Sequence, residues 1–128
     1  MKKLTAILCL TITVLLGTPG GGWGAELQKG LDAANRGDFA TALREWRPLA
    51  EQGDASAQNN LGFMYVYGKG VLQDYVRAHM WFNIAASSGE ITNASKNRDI
   101  VAKRMSSSQI EKAQNLAREC VRKKYKAC

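Results

Sequence analysis

The sequence predicts an all-α protein built from stacked helix pairs, about six helices in all. Gly37-Asp38-Phe39 and Gln73-Asp74-Tyr75 stand 36 residues apart, and the matches continue through Ala42 and Ala78, Trp46 and Phe82, Ala50 and Ala86, Gly53 and Gly89, Asp54 and Glu90. The matched positions fall three and four residues apart, which places aromatic and small side chains on one stripe of a helix. Beyond the first 24 residues nothing alternates with the period of two that a half-buried strand needs. A repeat of this length accommodates helix, turn and helix, and such units gain stability by stacking on neighbours.

The punctuation sets the elements. A first helix is expected over about 26–35 and its partner over 38–52, closed by Gly53. Pro48 lies inside the second helix, where it removes one backbone donor and should bend the axis unless the missing donor faces a solvent-side kink. Further helices are expected over 55–67, 74–87, 91–105 and 107–122. Asp38, Asp54 and Asp74 suit N-caps, and Ser106 with Gln109 three residues on has capping-box form. Gly30 pairs with Gly62 at an offset of only 32, so the second unit carries about four extra residues in the turn from Gly68 to Asp74.

The N-terminus reads as an export leader: Lys2 and Lys3, an apolar run from Leu4 to Leu16, then Gly17-Thr18-Pro19-Gly20-Gly21-Gly22. Thirteen apolar residues fall short of the roughly 20 that cross a bilayer, so residues 1–24 are expected to be cleaved rather than to anchor the chain. Gly22 and Gly24 supply the small residues before a cut at Ala25, with cleavage after Gly22 or Ala25 as alternatives. The expected location is periplasmic or secreted, with no transmembrane segment in the mature chain. Cys9 follows Leu8, where lipid attachment calls for a small residue.

Residues 25–128 suffice for one domain with a modest core. The formal charge of +7 is unevenly placed: residues 26–95 carry six bases against eight acids, residues 96–128 ten bases against three acids. Cys120 and Cys128 remain in an oxidising compartment, where one disulfide is the natural reading and free thiols or an intermolecular link the alternative. Eight residues of unbroken helix would hold their Cα atoms about 12 Å apart, too far for a bond. Pairing therefore requires the last helix to stop near 122–124 and the chain to turn back.

The stretch Ala57-Gln58-Asn59-Asn60-Leu61-Gly62-Phe63-Met64-Tyr65-Val66-Tyr67-Gly68-Lys69-Gly70-Val71-Leu72-Gln73-Asp74-Tyr75, continued by Ala78, Trp81-Phe82, Ala85-Ala86 and Gly89, resembles the Sel1-like repeat, a relative of the tetratricopeptide repeat. The resemblance implies a short right-handed α-solenoid of antiparallel helix pairs, with a complete unit over 54–89, an abbreviated tetratricopeptide-like unit over 25–53, and a basic C-terminal cap over 90–128. It also implies that these residues are structural. Gly62 permits close packing, Gly68 and Gly70 permit turns, Val71 plugs the turn, and Tyr65, Trp81 and Phe82 supply core. Trp46, Tyr75, Trp81 and Phe82 accordingly read as core rather than as a ligand cage.

Catalysis finds few materials. His79 is the only histidine, and neither His-x-x-x-His nor Cys-x-x-Cys occurs, so no metal and no other cofactor is expected. Ser87-Ser88 and Ser106-Ser107-Ser108 lie in no nucleophile-elbow pattern, and Gly68-Lys69-Gly70 lacks phosphate-loop spacing. The chain is read as no enzyme, with a small hydrolase a distant third. The leading expectation is an adaptor that holds a protein or peptide, through Asn60, Phe63, Met64 and Tyr67 at i, i+3, i+4 and i+7 on one face of the third helix. The alternative for Phe63 and Met64 is packing against the next helix pair. The second candidate surface is the basic end, Arg118, Arg122, Lys123, Lys124 and Lys126, facing an anionic membrane or cell-wall surface; an exported chain has no expected nucleic-acid partner.

Overall fold

The computed structural model describes residues 23–128, so all but the last two residues of the expected leader lie outside the described residues. Six helices follow in order: α1 (Trp23–Asn35), α2 (Phe39–Glu51), α3 (Ala55–Tyr67), α4 (Tyr75–Ser87), α5 (Ala94–Ala102) and α6 (Ser107–Arg122). No strand occurs among the described residues.

The helix starts are built by the side chains that the sequence marks for them. The carboxylates of Asp38, Asp54 and Asp74 accept from the backbone N–H of Thr41, Ala57 and Arg77 at 3.2, 2.7 and 3.1 Å, each satisfying a donor with no partner inside its helix. Ser106 and Gln109 exchange both bonds of a capping box, at 3.1 and 2.9 Å. α3 ends on Gly68 in the left-handed conformation (φ 62°), which leads the chain into the long turn before α4. α2 continues through Pro48 to Glu51; Pro48 and Arg44, whose carbonyl loses its helical donor, are both exposed, so the gap faces solvent.

The repeat in the sequence corresponds to a repeated contact. A methyl group placed on Gly30 of α1 would fall 2.0 Å from the Trp46 indole of α2; one on Gly62 of α3 would fall 2.5 Å from the Phe82 ring of α4. In each pair the glycine leaves no side chain at the contact, and the partner's aromatic ring lies over its backbone. Trp46 also donates Nε1–H to the Leu27 carbonyl at 3.1 Å. Between the pairs, Gln58 is 2 % exposed and donates Nε2–H to the Ala50 carbonyl at 3.1 Å, joining α3 to the end of α2. The core runs through Leu49, Leu61, Met64, Met80, Trp81 and Ile84.

The last two helices do not form a third pair. α5 and α6 each pack on α4 and scarcely touch one another. α5 spans only Ala94–Ala102, not 91–105, because Asn93 makes no side-chain cap and residues 103–105 form a turn; it buries Ala94 and Val101. α6 buries Ala113, Ala117 and Cys120 at i, i+4 and i+7, and its small residues allow it to lie close on α4. The chain then folds back through left-handed Lys124, Tyr125 and Ala127, and Cys120 and Cys128 form the disulfide, with Cα atoms 5.6 Å apart. Arg77 holds the Cys128 carbonyl at 2.7 Å. Tyr125 packs on Gly53 between the first two helix pairs, so the tail reaches back to the start of the stack.

Gly62→Ala is expected to destabilise the fold by about 1–3 kcal/mol through overpacking against Phe82, although alanine is the better helix former by about 1 kcal/mol. Urea unfolding checks this; a gain in stability would show that the ring moves aside freely. Removing the disulfide with Cys120→Ala/Cys128→Ala should cost about 1–2.5 kcal/mol, the eight-residue loop entropy less some relief of left-handed backbone. Hydrogen exchange should then accelerate at 120–128 while α3 and α4 stay protected; uniform acceleration throughout would contradict a locally acting tether.

A groove on α3 and a basic tail as candidate binding surfaces

α3 divides its side chains by direction. Leu61, Met64 and, in part, Tyr65 face the helices beneath, while Asn59, Asn60, Phe63 and Tyr67 border open space. Two hollows flank Phe63. One, of about 240 Å³, lies between α1, α2 and α3 and is bordered by Phe39, Asn60, Phe63, Met64, Tyr67 and Lys69. The other, of about 520 Å³, lies between α3 and α5 and is bordered by Asn59, Phe63, Ile91, Asn97 and Ile100. All four residues expected on this face thus come together around one hollow.

Their exposure differs in a way that spacing alone does not reveal. Tyr67 is 67 % and Phe63 38 % exposed, Asn60 is half-buried, and Met64 is only 4 % exposed. Met64 is therefore corrected from a surface contact to a core residue that floors the hollow. The Phe63 ring meets Phe82 edge-on at 5.1 Å, stacks on Tyr67 at 6.5 Å, and stays partly open to solvent. Ile100, 49 % exposed on α5, extends the apolar strip and carried no signal in the repeat pattern. The Asn97 amide bonds the Asn59 amide at 3.2 Å across the α3–α5 hollow. Lys69 sits over the Phe39 ring at 5.4 Å, adding a cation at the other end.

The basic tail is less free than its composition suggests. Arg122 and Lys123 lie 3.7 and 3.2 Å from Glu119, and Arg118 bonds Asn115. Lys124 and Lys126 remain exposed and have no ion-pair partner among the described residues. Tyr125 between them is half-buried in the core margin rather than displayed. The end of the chain is thus a disulfide-held loop with two open lysines, not a uniformly cationic helix.

His79 sits inside α4, 3 % exposed, with Nδ1 lacking a hydrogen-bond partner. Burial pushes its pKa below 6.5, Arg98 adds to that, and Asp99 opposes it. Among the described residues no cluster of three or more metal-ligating side chains occurs.

Residues 55–90 match the Sel1 repeat family. The crystal structure of a protective antigen present in uropathogenic Escherichia coli strains, described as displaying an SLR fold, superposes with a TM-score of 0.73 at 34 % identity over 82 % of this chain. The chain is a Sel1-like repeat protein. It spans 23 % of that antigen's length. No curated protein matches it. The matched family segment contains the whole α3–α4 pair, so Gly62, Phe63, Tyr67 and Trp81 all lie in the Sel1 repeat, whereas α5, α6 and the disulfide lie beyond it.

Because His79 resists protonation when folded, the unfolded chain binds more protons below about pH 6.5, and the fold should lose stability on acidification through that point. The slope contributed by one such group is at most about 1.4 kcal/mol per pH unit. His79→Met is expected to flatten the denaturation midpoint between about pH 7 and 5; an unchanged slope would place its origin elsewhere.

Proposed function

We propose that this Sel1-like protein is an exported, non-catalytic adaptor that holds a protein or peptide partner along the α3–α5 face. The observation that carries the reading is the exposed strip Tyr67–Phe63–Ile100, bordered by a hollow on each side. Isolated exposed apolar residues are ordinary, but three arranged along one face, two of them aromatic, form the kind of surface that gains by being covered. Stacked helical repeats offer extended surfaces of this type, and the amides of Asn59, Asn60 and Asn97 supply polar contacts among the apolar ones. With one complete repeat and one abbreviated one, the surface suits a short segment rather than a whole domain.

The leader and the disulfide support a periplasmic or secreted location, since such bonds persist where the compartment is oxidising. No described helix is long and apolar enough to cross a membrane. The reading of the basic end as an anchor on an anionic membrane or cell-wall surface rests on Lys124 and Lys126, because Glu119 offsets the charge of Arg122 and Lys123.

Affinity capture from envelope extracts separates the two surfaces. A partner retained by wild type and by Lys124→Ala/Lys126→Ala, but lost with Tyr67→Ser/Ile100→Ser, is the expected outcome. Retention by the groove variant together with loss in the tail variant would overturn it. Tyr67 and Ile100 are chosen because they are 67 % and 49 % exposed, and the expected loss is tenfold or more in affinity, about 1.4 kcal/mol.

A further inference from the structure

A third hollow, on another side of α3, plays no part in the proposed adaptor face. It measures about 400 Å³ and lies between α2, α3, α4 and the disulfide-held tail, bordered among others by Arg47, Glu51, Tyr65, Arg77, Trp81 and Cys128. Three features set it apart from an ordinary surface dent. Trp81 is 3 % exposed, yet its indole Nε1–H has no hydrogen-bond partner, whereas the Trp46 indole is satisfied by the Leu27 carbonyl. A buried donor without a partner is unfavourable, and an acceptor arriving through this hollow would satisfy it.

Charge supplies the second feature. Arg47 and Glu51 are four apart on α2, a spacing at which opposite charges commonly pair, but they form no ion pair. Arg77, by contrast, is engaged, its Nε 3.5 Å from Asp74 and its Nη1 on the Cys128 carbonyl. The hollow therefore presents one cation and one anion without an ion-pair partner among the described residues, and Tyr65 on its border adds a hydroxyl. The third feature is the wall: the fold-back at Lys124–Ala127 and the disulfide place Ala127 and Cys128 along the rim, and Arg77 holds them there.

We propose that this hollow binds a small zwitterion, a free amino acid or a short peptide. Its carboxylate is received by Arg47 and the Tyr65 hydroxyl, with the Trp81 indole N–H as a third donor once the ring is drawn toward the ligand. Its ammonium is received by Glu51. A simple anion would meet Glu51 with repulsion, and a simple cation would meet Arg47 in the same way, so the pair selects a ligand carrying both charges.

Titration of the full mature chain by ¹⁵N–¹H NMR tests this with glycylglycine as probe, and with acetate and glycinamide as its singly charged halves. Glycylglycine is expected to shift the Trp81 indole and Arg47 Nε–H resonances saturably, and each half to bind at least about tenfold more weakly. Arg47→Met and Glu51→Gln, both on the outer side of α2, should each weaken glycylglycine by about tenfold or more while the rest of the spectrum stays native. The proposal is overturned if the Trp81 and Arg47 signals do not move. It is overturned equally if acetate matches glycylglycine, or if shifts confined to Arg118, Lys124 and Lys126 show charge attraction at the tail alone. None of these outcomes bears on the α3–α5 face, which contains neither Arg47 nor Glu51.

Discussion

An aromatic ring laid over a glycine is the contact on which the rest of this structure depends. It occurs twice, Trp46 over Gly30 and Phe82 over Gly62, and each time it brings the two helices of a pair closer than any other residue in place of the glycine would allow. Close approach inside a pair sets the direction of everything around it. Phe82 lies over Gly62 and meets the neighbouring Phe63 ring edge-on at 5.1 Å, while Phe63 stays partly open to solvent. Gln58, bonded to the last turn of α2, then joins the two pairs into one stack.

The C-terminal part solves a different problem. A stack of repeats ends in an apolar face that needs covering. Here the cover is not a third pair: α5 and α6 each lie on α4, and the tail crosses back to Gly53. The disulfide closes a turn in which Lys124, Tyr125 and Ala127 take the left-handed backbone that non-glycine residues rarely adopt, and Tyr125 packs back toward Gly53. The basic charge of the chain end is largely the solvated side of this cover, partly offset by Glu119.

Much of this was legible in the sequence, and the residues show why. Helix starts at Asp38, Asp54, Asp74 and Ser106 depend on bonds three residues apart, so they are visible in any stretch of chain. The pairing of Cys120 with Cys128 required only that the helix end near Arg122, which it does. Pro48 is accommodated where the sequence allowed a kink, because its missing donor points to solvent. Met64 shows the limit. At i+4 from Asn60 and three before Tyr67 it shares their helical face, but a stripe is roughly a hundred degrees wide and its edge belongs to the core. Only the position of α2 beneath α3 decides on which side of that edge a residue falls.

Local chemistry and repetition therefore determined the helices, their caps, the 36-residue unit and the small-against-aromatic pairing, because each is a relation between residues near in sequence or repeated along it. Tertiary structure alone decided that α5 and α6 separate, that Ile100 joins Phe63 and Tyr67, and that Arg47, Glu51, Tyr65 and Trp81 border one hollow. These residues come from different helices with no common spacing. Their meeting depends on the angles at which the helices pack, and those angles are set by the sum of many core contacts, not by any one motif.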